Sequence, residues 1–299
     1  MRLHRGFGDR VLMTFIYVSL CFAALAVLVP VINVLASSFS SPRAIAEGRV
    51  SFLPVEPTLV GYTMVLGSKA VQTGFINSFF YTTVGTAVSV FLTVLAAYPL
   101  SRKDLYGRGV IMFLFVLPMF ISGGLIPTYL VVSKLGMIDT PWAMIFPTAL
   151  GLFNLIITRT FFQINIPEEL LQAAQIDGCS DFKFVMHVVL ALSKPVLAVI
   201  ILLYAIGKWN SYFEALMYVH KLSLQPLQIV LRDILTLSTF TTEMSTDQAS
   251  IFMDVEDARY IGFLLKYSLI IIASLPFMFL YPFIQKYFIK GILIGSLKG

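Results

Sequence analysis

The fold of this chain is limited first by six long apolar runs, at about 11–36, 73–99, 109–132, 142–163, 195–219 and 260–288, with more polar connections between them. A helix that crosses a bilayer needs about 20 mostly apolar residues, and each run reaches that length. In hydrocarbon every backbone polar group must be satisfied internally, so such runs read as helices rather than open strands. The rest of the composition agrees: 58% of the 299 residues are hydrophobic and 12% are charged. A soluble domain has about 45–50% apolar and about 25% charged residues. So little charge excludes an ordinary cytosolic enzyme, a disordered chain and a nucleic-acid-binding domain. The expected fold class is all-α and integral to a membrane, with six transmembrane helices in one domain over residues 1–299.

Arg2, Arg5 and Arg10 precede the first run, as in a secretory signal. Its apolar stretch is far longer than a signal core of about 7–15 residues, so it reads as a retained span. Orientation follows the bias of Lys and Arg towards the cytoplasm. One side gathers Arg2, Arg5 and Arg10, then Arg102, Lys103 and Arg108, then Arg159, Lys183 and Lys194, and last Lys286, Lys290 and Lys298. The alternate connections are longer and sparser, and the last of them also holds Glu243, Asp247, Asp254, Glu256 and Asp257. Both termini are therefore expected in the cytoplasm, with the first and fifth connections as the large external ones. The net charge of +5 fits this bias and needs no nucleic acid. Cys21 lies in an apolar run and Cys179 in a polar loop, so no disulfide framework is expected. His4, His187 and His220 are isolated and read as surface residues rather than metal ligands.

Several runs contain Pro and Gly: Pro118, Gly123, Gly124 and Pro127 in the third, Pro147 and Gly151 in the fourth, Pro276 and Pro282 in the sixth. Singly each reads as a kink. Together they suggest a bundle with a cavity or moving parts.

The connection 164–194 is the most informative stretch, and it reads as two short helices with a break. Pro167 suits a first helical position, where no N–H is needed. Glu168 and Glu169 complement the helix dipole. Ala173 and Ala174 give a small face that another protein can approach. Gly178 fits a left-handed stop, and Ser180 an N-cap for a second helix carrying Phe182, Phe184, Val185 and Val188 towards Pro195. Two readings stand side by side on these residues: a docking element for another protein, or a loop folded back on its own bundle.

This loop resembles the EAA loop of binding-protein-dependent ABC importer permeases. That pattern is Glu-Ala-Ala, three residues, Gly, nine residues, an apolar residue, one more, Leu and Pro. Here it runs Gln172-Ala173-Ala174, then Gly178, then Val188-Val189-Leu190-Ala191, with Gln172 in place of the Glu and Ala191 in place of the Pro. The flanks Ile166-Pro167-x-Glu169-Leu170, Ile176-Asp177-Gly178 and Leu192-Ser193-x-Pro195 are similar to the carbohydrate-uptake branch, the maltose-type permeases. So are Trp209-Asn210 with Leu216, Pro226-Leu227-Gln228 and the tail from Tyr281 to Gly299. Gly123-Gly124, Pro127 and Tyr129, with the Tyr281-Pro282-Phe283 tail, resemble the Gram-positive-type permeases for oligosaccharides derived from plant or algal polysaccharides.

The resemblance implies a transmembrane subunit that moves a sugar or oligosaccharide inward across the bacterial cell membrane by alternating access. The loop would be the coupling helix, seated in an ATP-binding subunit. By position, Gln172, Ala173, Ala174 and Gly178 form the core of that contact, with Glu169, Asp177 and Phe182 beside it. It implies four kinds of partner: a second homologous permease, two ATP-binding subunits, an extracytoplasmic solute-binding protein and the lipid bilayer. The chain has no Gly-x-x-x-x-Gly-Lys-[Ser/Thr] loop, so no cofactor is expected in it, and ATP and Mg would sit on the partner ATPase subunits.

Polar groups inside the runs are candidates for a solute path. An ionisable residue in a span is a functional hypothesis by default, so Lys208 is one candidate, against pairing with another subunit or snorkelling. Trp209, Asn210 and Tyr212 mix ring faces with hydrogen-bonding groups, as sugars require, or form an interface belt. Asn77 with Tyr81, and Asn154 with Thr158, are i,i+4 pairs that serve either a solute or interhelical hydrogen bonds. In the external connection Leu227, Val230, Leu231, Ile234 and Leu235 keep helical spacing, so part is expected to lie as an amphipathic helix in the outer interface. Its Ser/Thr-rich centre, 237–250, is left open as a loop.

Two other classes compete. A secondary transporter of small polar solutes, with no ATPase partner, would normally show internal repeats and intramembrane carboxylates. An intramembrane enzyme would need paired catalytic groups in the spans. Neither gives the EAA-like loop a use.

Overall fold

A computed structural model describes residues 7–121, 123–244, 262, 264–279 and 285. Among the described residues every regular element is helical. In chain order these are α1 (Phe7–Ser38), α2 (Pro42–Ala46), α3 (Val60–Gly67), α4 (Lys69–Ser101), α5 (Arg108–Phe120), α6 (Leu125–Lys134) and α7 (Trp142–Ile145). Then come α8 (Leu152–Asn165), α9 (Glu168–Ile176), α10 (Asp181–Leu192), α11 (Lys194–Trp209), α12 (Tyr212–Tyr218), α13 (Leu227–Met244) and α14 (Leu264–Phe279). The tail from Tyr281 to Gly299 (285 apart), Arg2, Arg5, His4 and most of the 245–263 stretch lie outside the described residues.

The chain divides into two compact units, residues 1–68 with 231–274, and residues 69–230 with 275–299. In the first, α1 is strongly apolar after its first turn, which holds Asp9 and Arg10, and it buries none of its spanning window. Its 32 residues rise about 48 Å at 1.5 Å each, enough to cross a bilayer. At its end the chain folds into a small polar-edged cap. Ser41 caps α2, Thr58 N–H donates to Phe39 O at 2.8 Å, and Ala36, Ala44 and Val50 close a small core. Arg49 holds Glu47 and Glu56 together at 2.7 and 3.2 Å, both on the surface. In the same unit α3 meets α14 at Gly61, where an added Cβ would collide with Ser268 Oγ.

The second unit is built on α4, whose buried face is mostly small: Gly74, Ser78, Gly85, Ser89, Thr93 and Ala97. Lipid tails are as apolar as leucine, so helices in a bilayer associate by close backbone approach and hydrogen bonds, which small residues allow. α4 packs against α8 and α11 around Leu100, Leu155, Phe162, Phe184, Val196 and Ile200. Tyr204 ties the three together: its hydroxyl pairs with Thr93 Oγ1 at 2.6 Å and accepts from the Gly151 N–H at 2.9 Å. Arg159 Nε donates to Leu100 O at 3.0 Å and so satisfies one of the last carbonyls of α4.

Two of the apolar runs are single long helices, α1 and α4. Three others are broken. The third is α5 and α6, bent by 117° at the Gly123-Gly124 region, with Gly124 at φ +83°. The fourth is the short α7 and then α8, separated by Pro147 and Gly151. The fifth is α11 and α12, interrupted at Asn210-Ser211. The breaks in the third and fourth runs lie where Pro and Gly remove donors or permit other backbone angles, whereas the fifth breaks at Asn210-Ser211 with neither. The sixth run is described only as α14 and at residues 262 and 285.

Candidate functional site

The connection between α8 and α11 folds much as its residues dictate. Pro167, in extended conformation, stands just before α9, and the helix starts at Glu168. Glu168 and Glu169 then fill the first turn, where the dipole favours them. α9 ends at Ile176 with Asp177 as its C-cap, and Gly178 turns the chain at φ +69°, the left-handed region that a Cβ disfavours. Cys179 N–H returns to Ala174 O at 2.9 Å, closing the turn. Ser180 Oγ caps α10 by accepting from Lys183 N–H at 3.4 Å. α10 widens to a π-turn over Val185–Val189, then bends by 86° into α11.

The two faces of this connection differ. Leu171, Ala174 and Cys179 are half-buried against Phe162, Phe184 and their neighbours. Glu169, Gln172, Ala173, Asp177, Gly178 and Phe182 are exposed, as is Ile176. Ile176 is 87% and Phe182 75% exposed. Burying such a side chain is worth about 1.5–3 kcal/mol, so this face gains from a covering surface. One side of the connection therefore folds back on the bundle, and the other is open.

The turn between α4 and α5 grips the same connection. Arg102 donates to both oxygens of Asp104 and, at 2.7 Å, to Asp181 Oδ1. Lys103 Nζ donates to Glu168 Oε2 at 3.1 Å. The Asp104 carboxylate raises the pKa of the Arg102 guanidinium above its ordinary value, and Arg102 in turn holds the Asp104 carboxyl below the usual range. In the sequence Arg102 and Lys103 stand out only as charges that set orientation. Their partners lie 79 and 65 residues away, and no local pattern reveals them.

The polar groups read as a candidate solute path are mostly engaged within the chain. Lys208 is 4% exposed, and its ammonium donates to Met144 O at 3.0 Å, Ile145 O at 2.9 Å and Thr148 Oγ1 at 2.8 Å. It neither snorkels nor waits for another subunit, but ties off the last carbonyls of α7 at the break before α8. Its stem lies across Gly85, where a Cβ would meet Lys208 Cδ at 3.1 Å. Asn77 donates to Ser223 O and Gln225 O at 2.9 and 3.0 Å, and Tyr81 to Leu224 O at 2.8 Å. Asn154 and Trp209 are buried, with Trp209 edge-on to Phe75 and Phe277. Thr158 donates to Asn154 O at 2.7 Å. Tyr212 is half-buried against a core of Tyr81, Met144 and Val219. Asn210 is exposed at the α11–α12 break, with one amide hydrogen on Ile206 O at 2.9 Å.

These bonds also fix the segment from Tyr218 to Leu227. Ser78 Oγ accepts from Leu227 N–H at 2.8 Å. At the other end Asp139, itself at φ +55°, accepts from the His220 and Lys221 amides and donates its own N–H to Tyr218 O at 2.9 Å. α13 then begins at the expected Leu227 and continues as helix to Met244, so part of the Ser/Thr-rich centre is helical. Residues 245–250 lie outside the described residues.

Residues 85–294 match the family described as binding-protein-dependent transport system inner membrane component. Among curated proteins the chain is similar to the polygalacturonan/rhamnogalacturonan transport system permease protein YtcP of Bacillus subtilis (strain 168), 41% identical, covering 95% of this chain and 97% of the relative. It is also similar to protein LplC of the same organism, 41% identical over 91% of this chain and 90% of LplC. Among solved structures it is similar to a chain of a bacterial ABC transporter involved in the import of the acidic polysaccharide alginate. That match has a TM-score of 0.83 and 31% identity, and covers 95% of this chain and 98% of the other.

Proposed function

The chain belongs to the family of binding-protein-dependent transport system inner membrane components, and on that premise we propose that it is the permease subunit that couples ATP hydrolysis on separate subunits to inward movement of an acidic oligosaccharide. It is a transmembrane subunit of an ABC importer rather than an enzyme. The observation that carries the coupling role is the two-faced α9 connection. Leu171 and Ala174 anchor it to the bundle, while Gln172, Ala173, Asp177, Gly178 and Phe182 stay open on the other face.

In this reading six spans cross the membrane, with both termini and the α9 connection in the cytoplasm. The Lys and Arg distribution supports that orientation. The open face seats in an ATP-binding subunit, with Glu169 beside it. Closure of two such subunits on ATP pushes α9, and transport follows only because the ATP-bound and ATP-free states favour different bundle packings. A second, homologous permease completes the pathway, and an extracytoplasmic solute-binding protein delivers the solute. ATP and Mg belong to the partner subunits. The named cargo of the relatives, polygalacturonan/rhamnogalacturonan and alginate, supports an anionic uronate-containing substrate. Of the candidate path residues, Asn210 is the exposed one, and it contacts the solute with Tyr212 beside it. Lys208, Asn77, Tyr81, Asn154 and Trp209 shape the path from behind.

The test is uptake by the reconstituted complex, with permease pair, ATPases and binding protein together. Labelled galacturonate trimer and a neutral maltotriose are offered separately. ATP-dependent uptake of the trimer alone is expected. Uptake of maltotriose alone removes the acidic substrate, and uptake that persists without any ATPase partner favours a secondary transporter.

A further inference from the structure

Each helix of the candidate coupling connection is held at its first residue by the single turn that ends α4. Glu168 opens α9 and takes Lys103 at 3.1 Å; Asp181 opens α10 and takes Arg102 at 2.7 Å. The two grips differ in quality. Lys103 and Glu168 are both well exposed, and such a pair is worth little. The Arg102 side chain is only 16% exposed. It is oriented by a two-pronged pairing with Asp104, lies over the Tyr98 ring at 5.9 Å, and its carbonyl accepts from Arg108 Nη1 at 3.1 Å. A planar guanidinium fixed in this way loses little freedom on binding a second carboxylate. Asp181 thus meets a prepared site rather than a mobile charge.

The consequence is mechanical. Between Asn165 and Ser180 the connection rests on the bundle through few side chains, chiefly Ile166, Leu171, Ala174 and Cys179. Gly178 lies between its two helices and allows it to bend. A push on α9 can be absorbed by that bend or passed on to the bundle. α4 is the helix around which α8 and α11 pack, so a link to α4 reaches the whole unit.

We propose that Arg102 is a positioning residue that locks the α9–α10 connection to the end of α4 through Asp181, so that displacement of α9 moves α4 instead of flexing the loop at Gly178. This rests on the importer reading above. Arg102 does not touch nucleotide or solute. It sets how much of the ATP-driven movement becomes transport.

Two measurements on the complete reconstituted complex test it. The first is the ratio of galacturonate trimer moved to ATP hydrolysed, for wild type, Arg102→Ala, Arg102→Lys and Asp181→Asn. The ratio is expected to fall fivefold or more in Arg102→Ala and Asp181→Asn, with hydrolysis within twofold of wild type. Arg102→Lys is expected to recover part of it, and the double variant to be no worse than either single one. A parallel fall of uptake and hydrolysis, or no change, overturns the lock, because a merely structural role lowers both together. The second needs no substrate: spin labels at Leu95→Cys and Ile176→Cys, in a Cys21→Ser, Cys179→Ser background. Wild type should keep one narrow distance with and without trapped ATP, and Arg102→Ala and Asp181→Asn should broaden it. Equal distributions in all three refute the lock even where the trimer is not the cargo. A wild-type complex that hydrolyses ATP but moves no trimer instead removes the substrate reading, and leaves the distance measurement to decide the lock.

Discussion

Replacing Gly178 by Val separates the shape of the coupling connection from its stability. Gly178 has φ +69°, and nothing lies within 4 Å of the place a Cβ would occupy. There is no clash to relieve, so the penalty comes from the backbone alone. A non-glycine residue in the left-handed region costs about 1–2 kcal/mol, and a β-branched one is a genuine outlier there. One to two kcal/mol is a factor of about 5–30 in a local equilibrium. That is small against the packing of the α4 unit, but enough to empty the conformation that returns Cys179 N–H to Ala174 O. Gly178→Val should therefore reach the membrane at wild-type level and lose at least fivefold in ATP-driven uptake. Gly178→Ala should lose less, and Gly178→Asn least, because Asn visits this region more readily. The assay is uptake by proteoliposomes, normalised to permease content by quantitative blot. Wild-type uptake by the Val variant at equal content would refute the reasoning. Asn as damaging as Val would place the demand on space in the partner's socket rather than on φ.

Lys208→Met keeps the aliphatic stem over Gly85 but leaves the Met144 and Ile145 carbonyls without their ammonium. Hydrogen bonds to charged groups contribute about 1.5–3 kcal/mol, so a loss of roughly 3 kcal/mol is expected. At about 2–4 °C per kcal/mol, the thermal midpoint of the purified complex should fall by about 6–12 °C. An unchanged midpoint with lost uptake would return Lys208 to the solute path. Asp139 accepts from the amides of His220 first and Lys221 second, and these hold its carboxyl below the ordinary value of 3.8. A carboxyl lowered in the folded state stabilises above its ordinary pKa and ceases to do so as pH falls through the lowered one. Exchange protection of the His220 and Lys221 amides should therefore survive at the ordinary carboxyl pKa of 3.8, be lost only as pH falls further through the lowered one, and be absent at neutral pH in Asp139→Ala. Protection that survives in the Ala variant would contradict the pin.

Features set by neighbours in the chain could be read from the sequence. Gly178, Ser180 and the acidic first turn of α9 act within four residues of themselves, through backbone angles, caps and dipole. The apolar runs placed α1 and α4 because hydropathy and length are additive along the chain. The breaks in the third and fourth runs were legible as Pro and Gly, but their extent was not, since α5 and α6 read as a continuous run of hydropathy; the α11–α12 break at Asn210-Ser211 carries neither residue and was not legible at all. The partners of the polar residues were beyond reach. Lys208 meets acceptors 60 to 64 residues earlier, and Asn77 and Tyr81 meet carbonyls more than 140 residues later. A buried polar side chain must find a partner, but sequence does not say whether that partner is a solute, another subunit or a distant turn of the same chain. Arg102 shows the same gap, since a charge that serves orientation also clamps Asp181.

The central claim is that the open face of α9 is a socket contact for an ATPase subunit. It is tested most directly by purifying the tagged chain from its own host in mild detergent and weighing the co-purifying proteins by mass, alongside the Gly178→Val variant. The account predicts one second permease and two ATP-binding subunits per wild-type chain, with the ATP-binding subunits depleted in the variant and the second permease retained. A homo-oligomer without any ATPase, or ATP-binding subunits held equally by both proteins, would contradict it.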